Sequence, residues 1–240
     1  MQKIDFENRA VAFIDVLGFK SAVNEAVQRK DKFKELEELI RVLENAVPGL
    51  DGTVDPNVHR DLIPKHFYIS DSIIVSAPLS SVNMPSYRGL STLVMRVIQL
   101  SHILLSRGYL LRGGISVGPV WHTDSNIVGA AYQEAYQIET ETCVPRVELS
   151  RSAQERWLST EGPGNKMCLD YKSHFMVNVL HDFYIQDKSY GAAKPVFENY
   201  SCVIQRNLED NHPEPVRYKW WWFKEYLESE VKRNAFISHA

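Results

Sequence analysis

Residues 10–17 read AVAFIDVL, a short apolar run broken only by Asp15. Such a run, rich in β-branched and aromatic residues, predicts a buried central strand that ends in a charged residue. Gly18 then opens a long helical stretch in which Phe19, Val23, Val27, Phe33, Leu36, Ile40, Leu43 and Val47 recur at three- to four-residue steps. A break near Asp31 predicts one bent helix or two consecutive helices, ending before Pro48. Residues 48–64, with Pro48, Gly49, Asp51, Gly52, Asp55, Pro56 and Pro64, read as loop.

KHFYISDSIIVSAP, residues 65–78, has two β-rich halves around Ser70, Asp71 and Ser72 and predicts a hairpin with Asp71 near its turn. A helical stripe of Leu90, Leu93, Val94, Val97, Leu100 and Leu104 follows. YLLRGGISVGPVW, residues 109–121, reads as a strand in which Gly113, Gly114 and Gly118 mark close approach of backbone or ligand. Residues 130–140 read as helix, Val144 to Leu149 as strand, and Ser150 to Leu158 as a capped helix. This alternation predicts an α+β sandwich of the ferredoxin-like or palm type, with helices on one face of a mostly antiparallel sheet. The periodic pattern fades beyond about residue 195, where the aromatic block YKWWWFKEYL (218–227) leads an amphipathic helix. Residues 1–194 therefore read as one domain and 195–240 as an extension packed on it, its aromatics docking on the domain or on a partner subunit.

The chain has 240 residues, 44% of them hydrophobic and 24% charged, the composition of an ordinary globular domain. A formal net charge of -3 supplies no broad basic surface, which disfavours a polynucleotide substrate. MQKIDFENRA carries acidic residues and lacks an apolar core of signal-peptide length, and no apolar run is long enough to cross a bilayer. Cys143, Cys168 and Cys202 are odd in number, far apart and without a CxxC pair, so neither a disulfide framework nor a zinc site is suggested. A reducing cytoplasm is the expected compartment.

A carboxylate at the end of a buried strand and a second in a neighbouring hairpin turn suit hard cations, because oxygen donors favour Mg²⁺ or Mn²⁺. Each aspartate also has an ordinary structural reading, Asp71 as a turn residue and Asp15 as a cap of the helix near Gly18. The surroundings add to the metal reading. FIDVLGFK, YISDSIIV, RGGISVGPV and IVGAAYQEAYQIE occur in this order, and together they resemble the class III nucleotide cyclase domain over roughly residues 9–150. Phe13, Asp15, Gly18 and Phe19 fit the family's first block, and Asp71 is its hairpin aspartate. Arg112, Gly114, Ile115 and Gly118 fit the third block, and Gly129, Ala135 and Glu139 the fourth.

The resemblance implies that Asp15 and Asp71 hold two Mn²⁺ or Mg²⁺ ions per site, with the carbonyl of Val16 as a further ligand. It implies that Leu17, Gly18, Phe19 and Lys20 wrap a triphosphate, where free N–H groups at a helix start meet negative charge. A homodimer is implied as well, each site combining the aspartates of one subunit with the Asn126 to Gln137 segment of the other. Two departures stand out. The ribose-positioning position of purine cyclases is Gln133 here, and the transition-state arginine position is Gln137, so a cation is missing; Arg112, Lys20 or another basic residue must replace it, or catalysis has been lost. The base-reading positions fall on Phe67 and Asn126, which match neither purine code.

The wording of the blocks looks most like the bacterial Pycsar pyrimidine cyclases of anti-phage defence, whose product switches on a separate effector protein. That resemblance implies UTP as substrate and cyclic UMP as product. The alternatives are a cytidylate cyclase, a purine cyclase with an unusual pocket, and a catalytically inactive cyclase-fold module that binds a nucleotide or a partner.

Overall fold

In the computed structural model, which describes residues 3–52, 54–161, 165–182 and 193–233, the run around Asp15 is the central strand β1 (Glu7–Leu17). Ala10, Val11, Ala12 and Ile14 are fully buried because both faces of this strand are covered. Its neighbours are β3 (Ser72–Pro78) on one side and β4 (Leu110–His122) on the other, both antiparallel to it. The sheet continues through β2 (Lys65–Ile69) at one edge, and through β6 (Val147–Leu149), β8 (His174–Val177) and β7 (Cys168–Tyr171) at the other. A short β5 (Ile127–Gly129) pairs with β4. Only the β4–β6 pairing is parallel among the described residues, so the architecture is α+β with a mostly antiparallel sheet.

Side-chain alternation along β1 sorts the helices. Ala10, Ala12, Ile14 and Val16 join the large core with Leu39, Leu43 and Val47 of α2 (Lys30–Asp51) and with Leu90, Leu93 and Val97 of α3 (Gly89–Leu105). Each such leucine contributes about 1.5–3 kcal/mol by leaving water. Val11 and Phe13 point the other way, onto Ala131 and Ala135 of α4 (Ala130–Glu141), which covers the opposite face. Gly114 makes this approach possible: a Cβ there would lie 2.7 Å from Ile138 Cβ and would run into the Ala135 carbonyl.

The helical stretch after Gly18 is two helices, α1 (Phe19–Gln28) and α2, divided at Arg29, whose backbone is extended. The expected stop before Pro48 is corrected, because α2 runs on to Asp51. Proline removes one backbone donor, yet the last turn is held by Gly52 N–H donating to the Pro48 carbonyl at 3.0 Å and by burial of Val47 and Leu50. Asp51 also pairs with Arg96 at 2.9 Å. Residues Arg60–Leu62 form a 3-10 turn within the stretch read as loop. Ser150 caps α5 (Arg151–Arg156), its hydroxyl accepting from Ala153 N–H at 3.2 Å.

Two more helices follow, α6 (Ala193–Glu209) and α7 (Glu214–Arg233). Trp220, Trp222, Phe223 and Tyr226 of α7 belong to the same core cluster as the sheet, while residues 234–240 of the extension lie outside those described. Among the described residues no helix is long and apolar enough to cross a membrane.

Candidate active site

Asp15 stands where β1 is about to end, directly opposite Ser72 on β3 and Arg112 on β4. The β2–β3 turn brings Asp71 alongside: Val16 N–H donates to the Asp71 carbonyl at 3.1 Å. Ser70 takes the left-handed conformation in this turn, with φ 58. Burial pushes the Asp15 carboxyl above its usual range and the Asp71 charge pushes the same way, while Arg112 opposes both.

Arg112 is the counter-ion of this corner. Its Nε–H donates to Asp15 Oδ2 at 3.1 Å and its Nη1 donates to the Thr142 carbonyl at 3.1 Å. Glu139 Oε1 lies 2.7 Å from the same Nε. Because that single N–H is aimed at Asp15, the buried Glu139 Oε1 has charge compensation but no aligned donor. Burial raises the Glu139 carboxyl first, Arg112 pulls it back, and Asp15 raises it again.

Gly18 caps α1 with φ 93, a left-handed conformation that favours glycine. No side chain caps the helix and its first turn holds no acidic residue, so the leading N–H groups have no side-chain acceptor. Phe19 is buried and Lys20 is exposed. Leu17 and Gly18 line one end of a cleft of about 700 Å³ that also includes Lys32, Arg107 and, from α7, Lys219. Burial pushes the Lys219 ammonium below its usual range, Arg112 adds to that, and Asp15 opposes it.

The remaining sequence candidates lie elsewhere in the chain. Phe67 meets His122 edge-on, with ring centroids 5.6 Å apart. Asn126 is exposed in the turn after β4, its N–H donating to Thr123 Oγ1 at 3.1 Å. Gln133 and Gln137 are exposed on α4, and Gln137 donates to Glu141 Oε1 at 2.9 Å. The fold thus gathers Asp15, Asp71, Arg112, Val16 and the Gly18 turn. Within one chain it does not hydrogen-bond Gln133 or Gln137 to either aspartate. Sequence reasoning gave Glu139 no role and did not single out Lys219. Glu139 had a signal in its position one helix turn after Ala135, whereas Lys219 sits inside an aromatic run that reads only as packing.

Among the described residues no three His, Cys, Asp or Glu side chains form a metal-holding group. The candidate centre is therefore the Asp15 and Asp71 pair. Its donors are hard oxygens, and its mutual repulsion is the kind that a divalent cation relieves, so these residues fit Mg²⁺ or Mn²⁺.

No protein-family model matches the chain, and no curated protein matches it. Among solved structures it is similar to the catalytic core of a rhodopsin-guanylyl cyclase with converted specificity in complex with ATPαS. The TM-score is 0.49 at 16% identity, over 74% of this chain and 98% of that one. The guanylyl cyclase domain of the RhoGC fusion protein from the aquatic fungus Blastocladiella emersonii gives a TM-score of 0.49 at 15% identity, over 73% of this chain and 96% of that one. A class III adenylyl cyclase-like ATP-binding protein from Pseudomonas aeruginosa gives 0.48 at 10% identity, over 95% of this chain and 44% of that one. At this level of likeness the reading of the site rests on its own residues.

Proposed function

We propose that the chain is a pyrimidine nucleotide cyclase, converting UTP to 3′,5′-cyclic UMP and pyrophosphate as a homodimer. The observation that carries this reading is the meeting of Asp15 and Asp71 beside the uncapped start of α1 at Gly18. A paired carboxylate site next to free helix N–H groups suits a metal-bound polyphosphate. By its resemblance to the bacterial pyrimidine cyclases, the chain would be the signal-generating enzyme of an anti-phage system, its product sensed by a separate effector protein.

Asp15 and Asp71, with the Val16 carbonyl, would hold two Mn²⁺ or Mg²⁺ ions. When bound, such ions supply Lewis-acid stabilisation of the ribose 3′-oxygen and of the pyrophosphate leaving group. The chain's own residues bind and orient. Arg112 fixes the Asp15 carboxylate through its Nε–H. The leading N–H groups of α1, at Phe19 and Lys20, donate to phosphate oxygens, with Leu17 and Gly18 shaping the turn. The 3′-oxygen then attacks the α-phosphorus, the bond to the pyrophosphate oxygen breaks, and the hydroxyl proton leaves to solvent. Because the nucleophile is already tethered to the phosphate, orientation supplies much of the acceleration. Gln133 and Gln137, exposed on α4, would reach the site of a second subunit.

Phe67 and Asn126 carry the substrate reading. Phe67 offers no hydrogen bond and an apolar face, which suits a single-ring base. The Asn126 amide can accept the uracil N3–H and donate to O4, and flipped by half a turn it suits cytosine, which makes cyclic CMP the second product to test. Gln137 in place of a cation supports the alternative of a catalytically inactive nucleotide-binding module. Incubating the purified protein with each of the four ribonucleoside triphosphates and Mn²⁺, followed by mass identification of products, separates these readings. Cyclic UMP is expected; cyclic AMP or cyclic GMP as the main product would remove Phe67 and Asn126 from the base pocket, and binding without any product would establish the inactive module.

A further inference from the structure

We propose that Lys219, delivered by α7, contacts the polyphosphate of the bound nucleotide and supplies the positive charge that Gln137 lacks; this rests on the nucleotide-site reading above. Lys219 lines the same cleft as Leu17 and Gly18, the turn that opens α1. Its neighbours fix it there, since Trp220 and Phe223 of the same helix are buried in the main core.

Three of the other cations near the site have partners, whereas Arg206, which lines the same cleft, is exposed on α6. Arg112 is divided among Asp15, Glu139 and the Thr142 carbonyl. Lys32 is tied to Glu35 at 2.8 Å, and Arg107 donates to the Ile103 carbonyl at 2.7 Å. Lys20 is exposed on α1. Lys219 is half-buried, and its ammonium has no hydrogen bond or ion pair among the described residues. A cation withdrawn from water without a partner is costly until an anion reaches it. Asp15 is close enough to act on its charge, but that carboxylate already holds Arg112. The anion chemistry that fits both an ammonium and the free N–H groups of a helix start is a phosphate chain.

The test compares binding of the non-cyclising analogue α,β-methylene-UTP with binding of UMP, by calorimetry in the presence of Mn²⁺, for the full chain and its variants. In Lys219→Met the preference for the triphosphate over UMP should fall by about tenfold or more, the worth of a charge-assisted contact. Lys219→Gln should behave the same way and serves if the first variant does not fold, whereas Lys219→Arg should keep most of the preference. An unchanged ratio in a folded neutral variant, or equal loss of both ligands, would overturn the role of Lys219 while leaving the nucleotide site in place. A wild-type chain that binds neither ligand would overturn the site itself, and the role of Lys219 with it.

Discussion

Arg112 and Asp15 are direct partners across the β1–β4 ladder, and the Arg112 Nε–H spans the 3.1 Å to Asp15 Oδ2. The same guanidinium faces Glu139 and caps the Thr142 carbonyl, so one side chain ties a strand end to the last turn of α4. Arg112→Ala should therefore destabilise the metal-free protein by about 2 kcal/mol near neutral pH, since it leaves two largely buried carboxylates without a counter-ion. Arg112→Lys should recover only part of this, because an ammonium cannot serve both Asp15 and the carbonyl. The sign with pH follows from the raised carboxyls: folded groups that hold their protons more tightly than the unfolded chain lose stability as pH rises. Urea denaturation should thus show the Arg112→Ala deficit shrinking between pH 7.5 and 4.5. A deficit that grows on acidification would contradict this account.

Asp71 pushes Asp15 toward its neutral form. Asp71→Asn should remove that repulsion while keeping the backbone bond from Val16 N–H to the residue 71 carbonyl. Turnover should drop to background, and metal-free stability should hold or rise. Added Mn²⁺ should raise wild-type stability by about 2.7 kcal/mol when free metal exceeds its Kd about a hundredfold, and should leave the Asp71→Asn melting curve unmoved. Asp15→Asn should also end turnover, but with a modest loss of stability, because Arg112 then faces a neutral partner. A variant that keeps its response to Mn²⁺ would argue against a metal site at this pair.

At Gly114 the helix α4 lies close against the sheet. Gly114→Ala places a methyl carbon against Ile138 and the Ala135 carbonyl, and backbone cannot yield as a flexible side chain can. The expected cost is about 1–3 kcal/mol, the range for overpacking a filled interior. It should be accompanied by a shift of α4 visible in the amide spectra of Ala135 and Ile138. Gly118→Ala meets only Ala131 Cβ at 3.6 Å, an ordinary contact, and should be close to neutral.

These consequences trace the limits of what the residues announce. β1, the β2–β3 hairpin, α3 and β4 are legible because each is an apolar run with one clear period and a turn signal at its end. The β7–β8 hairpin turns on Lys172 and Ser173, both at positive φ (49 and 67), where glycine or asparagine would be the usual signal. β5 has only three residues, too few for a period. Pro48 marks a helix end by local rules, but burial of Val47 and Leu50 carries the helix past it. Asp15, Asp71 and Arg112 could be paired from sequence because neighbouring strands bring them together. Lys219 could not, since its place within reach of the Asp15 charge depends on how four aromatic residues of α7 dock in the core.

Two buried histidines should make the fold acid-sensitive. Ser76 Oγ accepts from Arg9 Nε at 2.9 Å and is hydrogen-bonded to His122 Nδ1, 2.6 Å away. His102 is held between the Tyr200 hydroxyl at 2.7 Å and the His181 carbonyl at 3.0 Å. Burial lowers both to about 4. The unfolded chain binds protons near pH 6.5 and the folded one does not, so stability is full above that pH and is lost as pH falls toward 4. Each ring should cost about 1–2 kcal/mol between pH 7.5 and 5. Chemical denaturation of wild type and His122→Phe at the two pH values checks this: the variant should start lower, because Ser76 loses a hydrogen-bond partner, yet fall less steeply. Equal slopes would remove His122 from the explanation.

Within one chain no hydrogen bond joins the aspartates of the proposed cyclase site to its glutamines. Asp15 is fixed to Arg112 at the end of β1, whereas Gln133 and Gln137 face solvent on α4, with Gln137 turned to Glu141. If catalysis needs both sets, each site must borrow α4 from a second copy, and a two-fold dimer would carry two such sites. Asp15→Asn and Gln133→Ala should each be inactive or nearly so alone. Mixed in equal amounts and allowed to exchange subunits, they should regain about a quarter of wild-type activity, since half of the dimers are mixed and each has one intact site. Activity in the mixture should rise with the rate of subunit exchange and vanish when exchange is blocked by crosslinking each variant beforehand. A mixture that stays at the sum of its parts, from a protein that is active as a monomer by light scattering, would show that the site is complete within one chain.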